Sequence, residues 1–257
     1  MSAVRIERDG AVAVVTVDNP PVNALGNAVL AELADAAEQL GADNGVRAVV
    51  LTGGGQKAFM AGADLDEFRR LLDGDGSIEE HVGYSSRALT ALESLPQPLV
   101  AAVQAAAMGG GLEVALTADL IVADPGAVLG LPEVRLGLMP GAGGTQRLPR
   151  RIGAGRAKEL LLLGGAVKAE EAKAIGLVNR VSAPGAALEE AQELAGRLAA
   201  LSPLAVRSIK RAVAEGLEGT LADGVRRERE LFMGVFHGPD AREGVSAFVE
   251  KRPARFA

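Results

Sequence analysis

Short apolar segments that alternate with polar positions dominate the first half of the chain. Residues 4–8 alternate between apolar and charged side chains, as a half-buried strand does. Asp9-Gly10 is a hairpin turn signal, and the valine-rich residues 11–17 predict the returning strand. Continuous apolar runs predict further strands at residues 46–51, 98–103, 120–123 and 127–129.

Apolar residues at helical spacing predict helices between these strands and through most of the second half. Asn27 is the predicted N-cap of the first helix, and Asp64 opens the second. The first-half helices are predicted at 27–40, 64–72, 79–94 and 112–118. Those after Gly143 are predicted at 145–152, 156–163, 169–175, 188–201, 204–216, 221–235 and 240–251. Alternating strands and helices predict an α/β sheet with crossover connections, followed by a helical region.

The composition indicates the size of the domain, the type of core and the partners that the protein is not expected to bind. With 257 residues, the chain is long enough for one large domain, or for a domain with a small appendage. Hydrophobic residues are 48% and aromatic residues only 3%, so the core must be aliphatic. The net charge of −6 and the lack of a basic run argue against a nucleic-acid partner.

Cysteine and hydropathy patterns bear on location. The chain has no cysteine, which excludes disulfides and thiol catalysis and fits a reducing compartment. The N-terminal residues lack the apolar region of a secretory signal, and no uncharged apolar run is long enough to span a bilayer. We therefore expect a soluble cytoplasmic protein with no membrane association.

Several common catalytic patterns are absent. The sequence has no G-x-G-x-x-G dinucleotide fingerprint and no phosphate-binding P-loop. His81 and His237 are the only histidines, and neither has a second ligand residue at helical spacing, so no metal site is expected. If the protein is an enzyme, carboxylates are the expected proton carriers.

The candidate catalytic segments are glycine-rich turns that precede helices. They cover residues 59–64, 108–113 and 140–147, and Leu131-Pro132-Glu133 follows a short strand. Glycine lets a ligand approach the unpaired N–H groups of a helix start, where the helix dipole favours negative charge. Two such turns face to face would make an oxyanion hole with two donors. The alternative is that these turns only allow tight packing and that Arg135 and Arg147 are surface charges.

Six segments stand in order along nearly the whole chain: N-P-P-V-N-A-L at 19–25, F-M-A-G-A-D at 59–64, G-G-G-L-E at 109–113, L-P-E at 131–133, P-G-A-G-G-T-Q-R at 140–147 and A-F-V-E-K-R at 247–252. Together and in this order, they resemble the motifs of the enoyl-CoA hydratase (crotonase) family, hydratase branch. The resemblance implies an α/β fold, the crotonase (ClpP-like) β-β-α spiral core at 1–198 with acyl-CoA site and a C-terminal helical oligomerisation region at 199–257.

The resemblance also assigns roles to residues. The backbone N–H groups of Ala63 and Gly110 match the oxyanion hole, and Glu113 and Glu133 match the catalytic glutamates. The remaining matched positions are implied contacts of the coenzyme A substrate: Val22, Ala24, Ala61, Asp64, Leu65, Gly141 and Lys251.

The implied activity is that of a hydro-lyase, an enoyl-CoA hydratase that converts 2-enoyl-CoA to 3-hydroxyacyl-CoA in fatty acid metabolism, including β-oxidation. It needs no metal and no cofactor, since coenzyme A is part of the substrate. Relatives form homotrimers that pair into hexamers. The apolar positions of residues 221–236 suit such an interface, and an intrachain core is the alternative.

Two rival functions and one departure from the family pattern stay open. The rivals are another reaction of the family, such as enoyl-CoA isomerisation, and a non-catalytic acyl-CoA-binding or RNA-binding member. Glu113 and Glu133 together favour hydration. Ala105 stands where the family has glycine, which predicts mild strain if that position needs a positive φ. The sequence leaves acyl chain length open; we expect residues 64–83 and the C-terminal helices to shape that pocket.

Overall fold

The structure, a computed structural model, describes residues 2–256. The strands are β1 Val4–Asp9, β2 Val12–Val17, β3 Ala48–Gly53, β4 Ala58–Met60, β5 Leu99–Val103, β6 Ala106–Met108, β7 Leu120–Ala123, β8 Val128–Gly130, β9 Ala166–Lys168 and β10 Arg180–Val181. The helices are α1 Asn27–Ala42, α2 Leu65–Leu72, α3 Ile78–Glu93, α4 Gly110–Ala115, α5 Gly144–Ile152, α6 Ala154–Leu163, α7 Ala169–Ala174, α8 Ala187–Ala199, α9 Pro203–Gly216, α10 Leu221–Phe236 and α11 Pro239–Val249. A 3-10 helix covers Glu133–Leu136.

The larger sheet has the strand order β1-β2-β3-β5-β7-β10. β1 and β2 form an antiparallel hairpin, and the other neighbouring pairs are parallel. β3 and β5 are buried at every position and, apart from Thr52, carry no polar side chain, as expected for strands that are covered on both faces. Val49 and Leu51 pack into the core with α1 and α3, whereas Ala48 and Val50 face α8.

The smaller sheet determines where the candidate site lies. Its order is β4-β6-β8-β9, with β4, β6 and β8 parallel and β9 antiparallel to β8. Each parallel strand of the smaller sheet follows one strand of the larger sheet after a short connection: β3 leads into β4, β5 into β6 and β7 into β8. This repetition is the β-β-α spiral. Because the three strands are parallel, the turns that follow them meet at one edge.

The short strands are the main error of the sequence prediction. Phe59 and Met60 fall in the predicted turn at 59–64 but belong to β4, and the pattern does not predict β6, β9 or β10. Such strands are too short to show alternation, and only their neighbours in the sheet hold them extended. The predicted second-half helices are confirmed as α5 to α11, with shifts of a few residues at their ends.

The predicted N-cap of α1 is wrong, because Gly26, not Asn27, holds that position, and the Asn27 N–H donates to Glu67 Oε2 at 3.2 Å. The condition for strain at Ala105 is not met, because Ala105 is not among the described residues with positive φ. The neighbouring Gln104 side chain stabilises this connection by donating from Nε2 to the Gly53 and Ala58 carbonyl oxygens at 2.8 and 3.0 Å.

The C-terminal helices differ in their packing. α8 covers the larger sheet, whereas α9 and α10 pack mainly on each other. Lys210 Nζ ties α9 to the sheet through Asp119 Oδ2 at 2.9 Å. α10 buries none of its residues within the chain, so the intrachain core considered for residues 221–236 is wrong. The division at residue 199 stays a prediction, and residues 1 and 257 of its two ranges lie outside the described residues. Within residues 2–256, no helix combines the length and apolar character needed to cross a bilayer.

Candidate active site

Two glycine turns lie side by side at the ends of β4 and β6. β4 ends at Met60 and leads into Gly62, whose φ of 96° favours glycine. β6 ends at Met108 and leads into Gly109, whose φ is 54°. The turns are so close that a Cβ on Gly62 would lie 2.9 Å from the Met108 carbonyl oxygen and 3.3 Å from the Gly110 nitrogen. Only glycine fits at position 62.

This approach brings two free backbone donors together. A Cβ on Gly110 would lie 3.8 Å from the Ala63 nitrogen, so the two N–H groups border the same small space. Gly110 is the first residue of α4, where the helix leaves N–H groups without intrahelical partners. Among residues 2–256, neither N–H donates a hydrogen bond to the protein. The pair has the arrangement of an oxyanion hole.

The segment 22–25 forms the next part of the wall and is fixed by the first glycine turn. The Leu25 N–H donates to the Gly62 carbonyl at 2.8 Å, and the Ala61 N–H donates to the Val22 carbonyl at 3.1 Å. The buried Asn23 Nδ2 donates to the Ala58 and Phe59 carbonyls at 3.0 and 3.1 Å. These bonds hold the segment against β4 and the turn that follows it.

Glu113 lies in the first turn of α4 and is almost fully buried, with 3% of its surface exposed. Its Oε1 accepts hydrogen bonds from the N–H groups of Ala142 and Gly144 at 2.9 and 2.7 Å. Burial raises the pKa of Glu113, while these two bonds and the charge of Arg147 lower it in part. The third glycine turn therefore orients this carboxyl group.

Glu133 follows β8 and begins the 3-10 helix. A Cβ on Gly109 would lie 3.1 Å from Glu133 Oε1, so this carboxyl group borders the second glycine turn. Its Oε2 is buried and has no hydrogen-bond partner among the described residues. Burial raises the pKa of Glu133, a hydrogen bond to its own backbone lowers it in part, and the charge of Glu113 raises it. The net upward shift favours a carboxyl group that can hold a proton.

Arg147 anchors the third glycine turn and is more than a surface charge. Its Nη1 donates to the Ala142 carbonyl at 2.8 Å, and its Nε and Nη2 pair with both carboxylate oxygens of Glu93 on α3 at 3.0 and 2.8 Å. The Ala142 N–H is in turn a donor to Glu113. A cation held by α3 thus supports the turn that orients the carboxyl group.

The first two glycine turns, Glu113 and Glu133 line one cleft of about 700 Å³. Asp64 caps α2 at its wall by accepting the Asp66 and Glu67 N–H groups at 3.0 and 3.1 Å. The sequence-predicted site residues that line the cleft are Val22, Ala24, Ala61, Ala63, Asp64, Leu65, Gly110, Glu113, Glu133 and Gly141. Lys251 does not line it and is exposed after α11.

The sequence prediction missed three polar residues of the cleft, Asp66 on α2 and His81 and Ser85 on α3. His81 shows no metal-ligand spacing, and Ser85 belongs to no motif. The four-residue spacing between them, on a helix with few other polar side chains on that face, is the only sequence signal that could have indicated a shared surface.

Comparisons with known proteins match one family along nearly the whole chain. The model of the enoyl-CoA hydratase/isomerase family matches residues 7–257. The Bacillus subtilis enoyl-CoA hydratase/isomerase YngF is 46% identical over 94% of this chain and 93% of its own. The short-chain-enoyl-CoA hydratase of Clostridium acetobutylicum is 38% identical over 98% of this chain and 96% of its own. The crystal structure of a Bacillus anthracis enoyl-CoA hydratase superposes with a TM-score of 0.93 at 39% identity, covering 99% of this chain and 98% of that one.

The spiral of β-β-α units, followed by C-terminal helices, therefore has the crotonase fold. The chain belongs to the enoyl-CoA hydratase/isomerase family.

Proposed function

We propose that the protein is a hydro-lyase, an enoyl-CoA hydratase that adds water across the 2,3 double bond of a 2-enoyl-CoA thioester. The observation that carries this proposal is one cleft in which two free backbone donors lie together with the buried Glu113 and the half-buried Glu133. Relatives at 38% identity named short-chain-enoyl-CoA hydratase and crotonyl-CoA hydratase support it.

The two N–H groups would stabilise the charge that develops during addition. When a hydroxyl oxygen bonds to C3, the electrons of the double bond move toward the thioester oxygen and form an enolate-like species. The N–H groups of Ala63 and Gly110 would donate to that oxygen. Fixed donors are effective here because they need no reorganisation as the charge forms.

The two carboxyl groups would move the protons. Glu113, oriented by Ala142 and Gly144, would accept a proton from the attacking water, since its other oxygen has no protein partner among the described residues. Glu133 would give a proton to C2. The raised pKa of both groups supports these roles, because proton transfer is most effective when the pKa lies near the working pH. The product is a 3-hydroxyacyl-CoA, and atoms and charge balance without a redox partner.

Binding of the substrate would use mainly backbone groups. Val22, Ala24 and Ala61 present little side chain, and Asp64 and Leu65 begin the helix beside them. Coenzyme A is part of the substrate, and we propose that no resident metal or cofactor is required, because the backbone donors and carboxyl groups supply all the chemistry.

A homotrimer, or a hexamer built from two trimers, is part of the proposal. α10 exposes Leu221, Phe232 and Phe236 at 85%, 58% and 61%, a cost that burial in an interface would remove. Lys251, outside its own chain's cleft, would then reach coenzyme A phosphates across a subunit boundary. A cytoplasmic role in fatty acid breakdown by β-oxidation fits the absence of cysteine and the hydratase relatives.

The test is hydration of crotonyl-CoA, followed by loss of the enoyl-thioester absorbance. Wild-type protein should hydrate it, and Glu113→Gln and Glu133→Gln should each lose most of that activity. Glu7→Gln, at an exposed glutamate on β1, is the matched control.

The outcomes separate the rival functions. Full activity in both cleft variants would refute the mechanism. A wild-type protein that only converts a 3-enoyl-CoA to its 2-enoyl isomer would be an isomerase, and binding of acyl-CoA without turnover would indicate a non-catalytic member.

A further inference from the structure

One face of α3 forms a wall of the cleft. Five of its residues line the cleft, and their spacing of three or four places them on one side of the helix: Ile78, His81, Val82, Ser85 and Leu89. Leu30 of α1 and Phe68 of α2 also line this part of the cleft. An acyl chain would find an apolar wall here, interrupted by one imidazole and one hydroxyl group.

The imidazole of His81 is buried, with 6% of its surface exposed, and one of its nitrogens is already bonded. Its Nδ1 lies 2.7 Å from Asn27 Oδ1. An amide oxygen only accepts hydrogen bonds, so Nδ1 carries the proton in this pair. Burial lowers the pKa of His81, which keeps the ring neutral at pH 7, although nearby Glu67 opposes this shift. Nε2 is therefore an acceptor, and it has no partner among the described residues.

The hydroxyl group of Ser85 lies one helical turn further along the same face. It also has no hydrogen-bond partner among residues 2–256, although a helical serine often bonds to the carbonyl four residues earlier. Two polar groups without protein partners thus face a cleft whose wall is otherwise apolar. Such groups lose free energy when an apolar chain covers them.

Charge selects the kind of partner that these groups can bind. None of the residues that line the cleft is lysine or arginine. Asp64 and Asp66 line it, and Glu67 Oε1 lies 4.0 Å from His81 Nδ1. These negative charges disfavour a carboxylate on the acyl chain, whereas an uncharged hydroxyl group can donate to His81 Nε2.

We propose that the cleft selects acyl-CoA substrates whose acyl chain carries a hydroxyl group, which donates to His81 Nε2 and exchanges a second hydrogen bond with the Ser85 hydroxyl group. This inference rests on the proposed function for its reaction, but recognition of the chain does not require turnover.

The test compares 2-enoyl-CoA thioesters of increasing length that end in a methyl, a hydroxyl or a carboxylate group. For wild type, kcat/KM should favour the hydroxyl over the methyl form about tenfold at one chain length, the effect of one or two uncharged hydrogen bonds. His81→Leu and Ser85→Ala should each reduce this ratio severalfold, and His81→Gln should keep part of it. His237→Leu, a histidine outside the cleft, should leave the ratio unchanged.

A wild type that prefers the methyl form at every length, or the carboxylate form over the hydroxyl form, would overturn the inference. So would an unchanged ratio in both His81→Leu and Ser85→Ala.

Kd values measured by calorimetry for saturated analogues of these thioesters separate the recognition of the hydroxyl group from the proposed hydratase activity. A hydroxyl preference in binding without hydration of any thioester would refute the hydratase and keep the recognition site. Hydration of crotonyl-CoA without any hydroxyl preference would support the hydratase and refute the recognition site.

Discussion

Replacing Gly110 with alanine tests the oxyanion hole while keeping both of its backbone N–H groups. The new Cβ would lie 3.5 Å from Leu25 Cδ1, 3.7 Å from Gly62 Cα and 3.8 Å from the Ala63 nitrogen, all ordinary contact distances. Gly110 has no positive φ and is the first residue of α4, where alanine is favoured over glycine by up to ~1 kcal/mol. The variant should therefore fold with unchanged or slightly higher stability.

Its activity should fall sharply for a geometric reason. The methyl group would occupy the space between the Ala63 and Gly110 N–H groups, where the thioester oxygen has to sit. Loss of one oxyanion donor costs roughly 10²- to 10³-fold in kcat, or about 3–4 kcal/mol, and blocking the space affects both donors. Steady-state hydration of crotonyl-CoA should show at least a 10²-fold lower kcat/KM, with a normal thermal unfolding curve.

Two other glycines provide the controls. Gly155→Ala lies in α6 with nothing within 4 Å of the new Cβ, so activity should stay at the wild-type level. Gly111→Ala would place its Cβ 2.0 Å from the Met60 carbonyl oxygen and should damage the fold itself. A folded Gly110→Ala protein with wild-type activity would show that the thioester oxygen does not lie between these two N–H groups.

Three further results are expected. Burial and the charge of Glu113 raise the pKa of Glu133, so the wild type loses folding stability as the pH rises from the usual glutamate pKa through the raised value. Glu133→Gln avoids this loss and should have a higher melting temperature than the wild type at pH 8, with a difference that shrinks in acid. A melting-temperature difference that stays constant with pH would contradict this assignment. Arg147→Gln removes a cation that lowers the pKa of Glu113, so the acid limb of the kcat/KM–pH profile should move to higher pH, whereas the exposed Arg150→Gln should not move it. Phe232→Lys places a charge on the exposed face of α10 and should weaken subunit association at least tenfold in sedimentation experiments, about 1.4 kcal/mol; an unchanged assembly would place the interface elsewhere.

Local signals determined much of the fold before any tertiary contact was known. Valine-rich runs predict β2, β3 and β5 because a strand buried on both faces needs continuous apolar residues. Asp64 predicts the start of α2 because a carboxylate can accept the free N–H groups of the first turn. The glycine turns and both glutamates also stand out in the sequence, since each combines an unusual backbone requirement with a titratable or small residue.

Only the tertiary structure decided how these pieces meet. β6 and β10 are too short to show a period, and they exist because neighbouring strands pair with them. The parallel pairing of β4 with β6 brings Gly62 and Gly109 into contact, although they are far apart along the chain. The sequence also cannot show that Glu113 is held by the third glycine turn, or that Glu133 has a buried oxygen without a partner. The spacing of His81 and Ser85 indicates only a shared face of α3, because the cleft that this face lines forms where α1, α2 and α3 come together. Hydrophobic periodicity reports only which face of an element is buried, whereas the chemistry depends on which faces share the same space.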